Sequence, residues 1–410
     1  MKTVNRYCVL AAGMTIQLCA GIIYMWSVFK EPIAKHLNWD SGSASLTSSV
    51  MLAMFVLGII IGGYAQDKWG PKRITLAGSV LIGAGMALTA LIPGDAPWLV
   101  YVTYGVIGGF GVGTVYTSTI AAIQKWFPDR RGFASGMVVS AFGLSLVVFA
   151  PLARSILGGI GVPGAFLIFG LCFLAICGVS SFYIDNPPEG YSPNASASTN
   201  SRIPKQSAGS TLQYSPKEII KTKQFYLLAG SLLLTLPAYF ILNPVFVSLG
   251  TERGLSDNIA LLGVSLTGVC SAAGRLIVAW ASDKIGGKNA MTAIAAIILC
   301  AALVMTAGQK VVFLICIMLI SFGFGGAASV YSTMTAASFG TKYGGMNFGL
   351  VMVGFGVSAL VFPIISNKLI AGGSYTGSFI LAAATCVAAI VLIALMKNPN
   401  MNKSDRPEKA

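Results

Sequence analysis

Residues 63–73 read Gly63-Tyr64-Ala65-Gln66-Asp67-Lys68-Trp69-Gly70-Pro71-Lys72-Arg73, and residues 282–288 read Ser282-Asp283-Lys284-Ile285-Gly286-Gly287-Lys288. Both stretches follow an apolar run and combine an aspartate, a turn glycine and basic residues. The two aspartates, Asp67 and Asp283, lie 216 residues apart in a chain of 410 residues. Because this spacing is about half of the chain, the repeat predicts two copies of one structural unit.

The composition places both units in a lipid bilayer. Hydrophobic residues make up 55% of the chain and charged residues only 10%, whereas about a quarter of the residues in soluble domains are charged. A membrane-spanning helix needs about 20 apolar residues. Runs that meet this requirement lie near 7–29, 44–66, 74–92, 98–122, 133–157, 163–184, 224–250, 258–281, 290–307, 311–337, 344–370 and 375–396. We therefore predict an all-α membrane protein with twelve transmembrane helices in two six-helix bundles.

A polar stretch separates the two sets of six runs. It divides the chain into an N-terminal bundle (1–184), a linker (185–223) and a C-terminal bundle with a charged tail (224–410). The sequence Ser215-Pro216-Lys217-Glu218 is typical of a capping box with proline at the first helical position. It predicts a short interfacial helix at the end of the linker; a plain linker is the alternative.

Lysine and arginine residues are distributed unequally between the predicted loops. With the N-terminus inside, 20 of the 27 basic residues fall on the cytoplasmic side, six fall on the opposite side, and Arg275 lies within a span. Cytoplasmic loops carry the excess of basic residues in membrane proteins, so we predict cytoplasmic termini and a cytoplasmic linker. Because the charges are scattered over short loops, we predict no nucleic-acid partner.

The chain offers little for metal or enzymatic chemistry. Its eight cysteines all lie in apolar stretches, and they form no ligand cluster with the single histidine, His36. No aspartate, glutamate or histidine lies at depth within a predicted span. We therefore predict no metal site, no cofactor and no catalytic residue.

Several motifs resemble known families of carriers. Gly63-x-x-x-Asp67-x-x-Gly70-x-Lys72-Arg73 resembles the loop signature of the major facilitator superfamily. Gly21-x-x-Tyr24-x-Trp26-Ser27-x-Phe29-x-x-Pro32, residues 125–132 and Arg275 near residues 282–286 resemble the oxalate–formate antiporter family, which is related to the monocarboxylate porters. The resemblance covers most of the chain apart from the linker and the tail. It implies alternating access of a midplane site, a bacterial inner membrane and a monomer.

Arg275 is the one charge at membrane depth. It precedes Asp283 by eight residues, which is about two helical turns. A cation at this depth costs at least ~2.5–3.5 kcal/mol on insertion scales, and no carboxylate in a span is available to offset that cost. A bound anion would do so, because the planar guanidinium forms two parallel hydrogen bonds with a carboxylate. The alternative is hydrogen bonding to backbone carbonyls.

Two positions depart from the families that the chain resembles. Oxalate exchangers carry a second cation of the substrate site, a lysine, on helix 11, where this chain has Phe355, so Phe355 is a further candidate for the substrate site. Monocarboxylate porters carry an acidic residue four positions before the arginine, where this chain has Ser271. One fixed cation favours a monocarboxylate such as formate, lactate or pyruvate over oxalate. The missing carboxylate leaves anion exchange and proton-linked symport both open, so protons are a second candidate partner.

Two further groups of residues are candidates for function. The helices that line the cavity in this fold carry the aromatic residues Tyr24, Tyr116, Phe142, Phe324 and Tyr331. The resemblance implies a place in the substrate site for Tyr24, Tyr116 and Phe142. On the cytoplasmic side, we expect charged and turn residues to latch the two bundles in the outward-open state: Asp67, Gly70, Lys72, Arg73, Asp129, Arg130, Arg131 and Asp283. Solvated loop charges are the alternative for this second group.

Taken together, these features predict a secondary active transporter of small organic anions. An oxalate:formate antiporter is the first alternative. A carrier of another solute class, such as a drug exporter, and a non-transporting membrane sensor are the others. A cationic drug calls for a buried carboxylate, which the predicted spans lack, and a sensor normally adds a signalling domain.

Overall fold

The computed structural model of the protein describes residues 5–188, 191, 213–242, 246–370 and 375–396. Most of the predicted linker (189–190 and 192–212) and the predicted tail (397–410) lie outside these residues. Every regular element in the described part of the chain is a helix, as the composition predicts.

Six helices and two irregular helical segments build the N-terminal half. They are α1 (Arg6–Ala20), a 3₁₀ turn (Gly21–Tyr24), α2 (Trp26–His36), α3 (Ser41–Trp69), α4 (Pro71–Thr89), a π-helical segment (Tyr101–Gly108), α5 (Gly109–Trp126) and α6 (Arg131–Ser181). Asp40 caps α3, because its carboxylate accepts a hydrogen bond of 2.7 Å from the backbone N–H of Ser43, which lowers the pKa of this carboxyl. Gly70 makes the turn to α4 with φ of 85°, a conformation that favours glycine.

The C-terminal half contains α7 (Pro216–Ile219), α8 (Lys223–Thr235), α9 (Pro237–Leu242), α10 (Phe246–Glu252), α11 (Asp257–Ile285), α12 (Gly287–Val304), α13 (Lys310–Phe339), α14 (Gly344–Val351), α15 (Val353–Ile370) and α16 (Thr376–Leu395). Helix α7 begins with the predicted capping box. The backbone N–H of Ser215 donates to Glu218 over 2.6 Å, which lowers the pKa of the glutamate carboxyl.

Twelve spans can be counted in this arrangement. Within the described residues, nine helical segments are long and apolar enough to cross a membrane. The 51-residue α6 provides two crossings, because its backbone breaks at Gly161 with φ of 73°. Helices α4 (19 residues) and α11 (29 residues) provide the remaining two. The prediction of twelve transmembrane helices is confirmed.

Spans 1 and 7 are broken at equivalent depths. Span 1 changes to a 3₁₀ turn at Gly21, where an added Cβ atom would lie 2.4 Å from the carbonyl oxygen of Phe142. Span 7 breaks between α8 and α9, where Pro237 begins the second piece, because proline cannot continue the hydrogen-bond ladder of a helix. Both breaks present an aromatic residue towards the interface between the halves, Tyr24 in span 1 and Tyr239 in span 7.

Candidate functional site

Arg275 lies at the centre of the interface between the two halves, with 3% of its surface exposed. Its Nη2 donates a hydrogen bond of 3.0 Å to the hydroxyl of Tyr24 on span 1. Its Nη1 lies 3.5 Å from the carbonyl oxygen of Val139 on α6, which is long for such a bond. The guanidinium therefore joins the halves but uses its donors only in part.

The guanidinium has spare donors. Arginine carries five N–H groups, and its Nε has no partner. The ion pairs between described residues are Arg6–Asp129 and Lys30–Glu31, and neither includes Arg275. A buried cation without an anion is costly, so this arrangement is suited to receive one.

Gly143 provides the space that Arg275 occupies. A Cβ atom at position 143 would lie 1.9 Å from Nη1 of Arg275. Any side chain there would displace the guanidinium. The glycine on α6 thus positions an arginine that belongs to the other half of the molecule.

A cavity of about 320 Å³ adjoins Arg275, and we call it the aromatic cavity. Five of the predicted site residues, Tyr24, Tyr116, Phe142, Phe324 and Phe355, line it together with the arginine. The ring of Phe142 lies 5.4 Å from that of Tyr24 and 5.2 Å from that of Tyr116, both in edge-on contact. The structure therefore brings together aromatic residues from spans 1, 4, 5, 10 and 11.

Tyr331, the remaining predicted aromatic site residue, lies outside the aromatic cavity. It is fully buried, and its hydroxyl donates to Ser231 over 2.9 Å within the C-terminal half; it is not part of the lining of either cavity described here. Tyr331 shares a helix face with Phe324, but seven residues of helix place it about 10 Å further along α13. The sequence pattern specifies the face of a helix and not the depth at which a cavity ends.

Tyr239 and Phe240 are lining residues that sequence reasoning missed. Tyr239 stacks on Phe324 with ring centres 3.8 Å apart, and Phe240 contacts Phe355 at 5.3 Å. The repeat contains a signal for this pair. Adding the spacing of 216 residues to Tyr24 gives position 240, so the two broken spans supply equivalent aromatic walls.

A second cavity, of about 500 Å³, shares Tyr24, Tyr239 and Arg275 with the first. We call it the hydroxyl cavity, because its lining includes Ser27, Ser45, Ser48, Thr267 and Ser271. Lys30 also lines it and donates to the hydroxyl of Ser45 over 3.2 Å. Span 1 begins at Arg6 beside Asp129, so Lys30 lies towards the opposite end of the molecule, which we call the lysine end.

The other end, which we call the aspartate end, is closed by two equivalent contacts between the halves. Asp67 at the end of α3 accepts hydrogen bonds from the backbone N–H groups of Gly345 (3.2 Å) and Met346 (2.9 Å), which open α14. Asp283 at the end of α11 accepts two hydrogen bonds of 2.8 Å from Gly132 and Phe133, which open α6. Carboxylates are favourable at helix N-termini, because the unpaired N–H groups and the helix dipole both attract negative charge.

The other predicted latch residues do not bridge the halves by ion pairs. Arg73 and Arg130 are exposed. Lys72 lies over the ring of Phe182, and Asp129 pairs with Arg6 at 3.2 Å, both within the N-terminal half. Arg131 interacts electrostatically with Asp283. The two aspartates thus pair with backbone N–H groups across the interface, and Arg130 and Arg131 add electrostatic attraction to Asp283.

Comparisons with known proteins agree with this architecture. The model of the Major Facilitator Superfamily matches residues 9–307 and 228–410. The chain is 25% identical over 399 residues to the oxalate:formate antiporter of Oxalobacter formigenes, covering 95% of this chain and 90% of that protein. It is 25% identical over 398 residues to monocarboxylate transporter 13 of Bos taurus, covering 94% and 88%. The fold matches the E. coli fucose:proton symporter FucP with a TM-score of 0.72 and 14% identity, over 95% of this chain and 98% of that one.

Two bundles around a central cavity, closed at one end and lined with a buried cation, define a polytopic membrane carrier. The chain belongs to the Major Facilitator Superfamily. The resemblance predicted from residues 63–73 is confirmed, and so is its extension to relatives of the oxalate–formate and monocarboxylate types.

Proposed function

We propose that the protein carries small monocarboxylates across the membrane and binds the carboxylate at Arg275. The observation that carries this proposal is the buried guanidinium whose Nε has no partner and which lines both cavities. The similarity to an oxalate:formate antiporter and to a monocarboxylate transporter supports the same class of substrate. Formate, lactate and pyruvate each carry the single carboxylate that Arg275 would bind, whereas oxalate carries two carboxylates.

The aromatic cavity supports this assignment. The rings of Tyr24 and Phe142 lie 5.9 Å from the guanidinium, and rings from both halves line the cavity beside it. Apolar walls of this kind strengthen hydrogen bonds and charge attraction to an anion. A hydroxyl at depth, that of Tyr24, already contacts the guanidinium and adds a polar group beside the bound carboxylate. The aromatic rings would cover the apolar part of the substrate.

The difference between the closed aspartate end and the lysine end supports transport by alternating access. In this structure both cavities reach the interface of the halves, and the aspartate end is closed by Asp67 and Asp283. Breaking these contacts and forming new ones at the lysine end would turn the site to the other side. The excess of basic residues predicted at the aspartate end supports a cytoplasmic position for that end, so we propose an inner-membrane carrier with cytoplasmic termini, in its outward-facing state.

Counterflow in proteoliposomes tests the proposal. Vesicles are loaded with unlabelled formate, lactate, pyruvate or oxalate, and uptake of the same labelled anion is followed without a pH gradient. We expect stimulated uptake of at least one monocarboxylate and its loss in Arg275→Gln, while Arg154→Gln, a change at an exposed arginine on α6, keeps normal uptake. Normal uptake by a folded Arg275→Gln variant would refute the site.

The same assay separates the alternatives that the sequence leaves open. Uptake that an imposed inward proton gradient accelerates in the absence of internal anion indicates symport. Uptake that requires an internal anion at every pH indicates exchange. Oxalate stimulation that exceeds that of the monocarboxylates would favour the oxalate:formate antiporter instead.

A further inference from the structure

Ser271 stands one helical turn before Arg275 on α11 and lines the hydroxyl cavity. It is 4% exposed, and its Oγ has no hydrogen-bond partner. Most buried hydroxyls in this bundle donate to a carbonyl three or four residues earlier, as Ser79 does to Thr75 and Thr119 does to Val115. An unsatisfied buried hydroxyl costs free energy, so its persistence beside the cavity calls for a ligand.

Other buried hydroxyls without a partner provide a comparison. Within the described residues they belong to Thr47, Thr75, Ser145, Ser321 and Ser358. None of these five residues lines the aromatic cavity or the hydroxyl cavity. Ser271 is therefore distinguished by its place, because it lines a cavity that is also lined by Arg275, whose Nε is likewise without a partner.

The spacing of the two residues restricts what they can bind together. Side chains four residues apart on a helix are neighbours, with Cβ atoms about 5–6 Å apart. The guanidinium fork takes both oxygens of a carboxylate, which leaves the serine hydroxyl for a polar atom on the adjacent carbon. An oxygen on C2 of the substrate would meet this hydroxyl.

We propose that Ser271 is a specificity-determining residue that donates a hydrogen bond to the C2 oxygen of a 2-hydroxy- or 2-oxo-monocarboxylate. This inference rests on the proposed function, since Arg275 holds the carboxylate. A simple fatty acid of the same length would leave the serine hydroxyl buried without a partner. Sites built to bind a substrate oxygen reject analogues that lack it for this reason.

Lactate and propionate test the proposal, because they differ only in the C2 hydroxyl. We expect wild-type counterflow to show a KM for lactate about tenfold lower than for propionate, the size of one hydrogen bond to a buried partner. Ser271→Ala raises the KM for lactate to about that for propionate and leaves the latter unchanged. Ser271→Thr, which keeps the hydroxyl, keeps the preference.

Ser321→Ala is the matched control, since Ser321 is equally buried and without a partner but lies outside both cavities. It should keep the lactate preference. Equal KM values for lactate and propionate in the wild type, or an equal loss for both in Ser271→Ala, would overturn the role of Ser271 while the carrier function stands. No counterflow of any carboxylate by folded wild-type protein would overturn the proposed function and this inference with it.

Discussion

The aspartate end and the lysine end of the molecule are built from different bonds. The aspartate end is closed by carboxylates that accept four backbone hydrogen bonds across the interface between the halves. The lysine end contains the hydroxyl cavity, which is lined by Lys30 and by several serine and threonine residues. The difference teaches that the two ends are held in different ways: directional hydrogen bonds between the halves close one end, and a cavity lined by a cation and by hydroxyl side chains lies towards the other.

The closed end is held by two contacts that are related by the internal repeat of the chain. Asp67 and Asp283 occupy equivalent positions in the repeat, and each caps the helix that opens a span of the other half. Four hydrogen bonds to charged groups contribute about 1.5–3 kcal/mol each at most. If these contacts act as the proposed latch, we expect them to favour the state seen here and to break when the carrier turns to the other side.

The largest effect is expected from filling the space beside Arg275. In Gly143→Val, a side chain would enter the place of Nη1, because even a Cβ atom would lie 1.9 Å from that nitrogen. The guanidinium must then turn away from Tyr24 and from the cavities. We expect counterflow to fall by about 100-fold, the value of one or two hydrogen bonds to a charged group.

Gly158→Val is the control for this change. Gly158 lies on the same helix, α6, and an added Cβ atom meets nothing within 4 Å. Its counterflow should stay within about twofold of the wild type, as for most surface substitutions. If Gly143→Val transports as well as Gly158→Val, Arg275 does not bind the substrate from the position seen here. The site between the two ends would then have to be sought elsewhere.

A smaller effect is expected at the aspartate end. Asp67→Asn and Asp283→Asn each remove a charge and replace one acceptor oxygen by an amide that cannot accept from a backbone N–H. Each should shift the equilibrium about tenfold towards the state that opens at the aspartate end. The measurement is the labelling rate of a single cysteine introduced at Ser48, in a background without reactive cysteines, by a thiol reagent added at the lysine end.

Because the contacts of Asp67 and Asp283 are equivalent, the two single variants and the double variant can be compared quantitatively. The single variants should shift the equilibrium constant by similar factors, and the double variant should shift it by about their product, since the two contacts share no partner. Labelling should therefore be slowest in the double variant. Asp95→Asn serves as the control, because Asp95 is exposed in the loop between α4 and the π-helical segment. Faster labelling in either aspartate variant would mean that the carboxylates do not hold this end closed.

Much of this architecture follows from sequence because the physical signals are local. Apolar run length gives the spans, and the repeated Asp67 and Asp283 mark the closed end. Arg275 stands out because charge at membrane depth is costly. Each of these features depends on residues within one helix or one loop.

The rest depends on contacts between distant parts of the chain. The break of span 1 arises where Gly21 meets the backbone of Phe142 on another span. Tyr331 shares the face of Phe324 but lies below the floor of the cavity, a depth that only packing decides. The partners of Asp67 in the other half are the backbone N–H groups of Gly345 and Met346. Every residue except proline has such a group, so the residue types at these positions do not reveal the contact.

The smallest effect is expected at the mouth of the hydroxyl cavity. Lys30 lines this cavity, with its ammonium on Ser45 and 3.6 Å from Glu31. A cation there attracts anions before they reach Arg275, and attraction of this kind acts on association and is screened by salt. Lys30→Gln should therefore raise the KM about twofold at low ionic strength and leave it unchanged at high ionic strength, with the maximal rate unaffected.

Lys35→Gln is the control for this change. Lys35 is exposed on the same helix and lines neither cavity, so this variant separates the effect of the local charge from that of the net surface charge. If the KM rises equally in both variants, the attraction of anions comes from the charge of the surface as a whole and not from Lys30. The lysine end would then differ from the aspartate end only in being open.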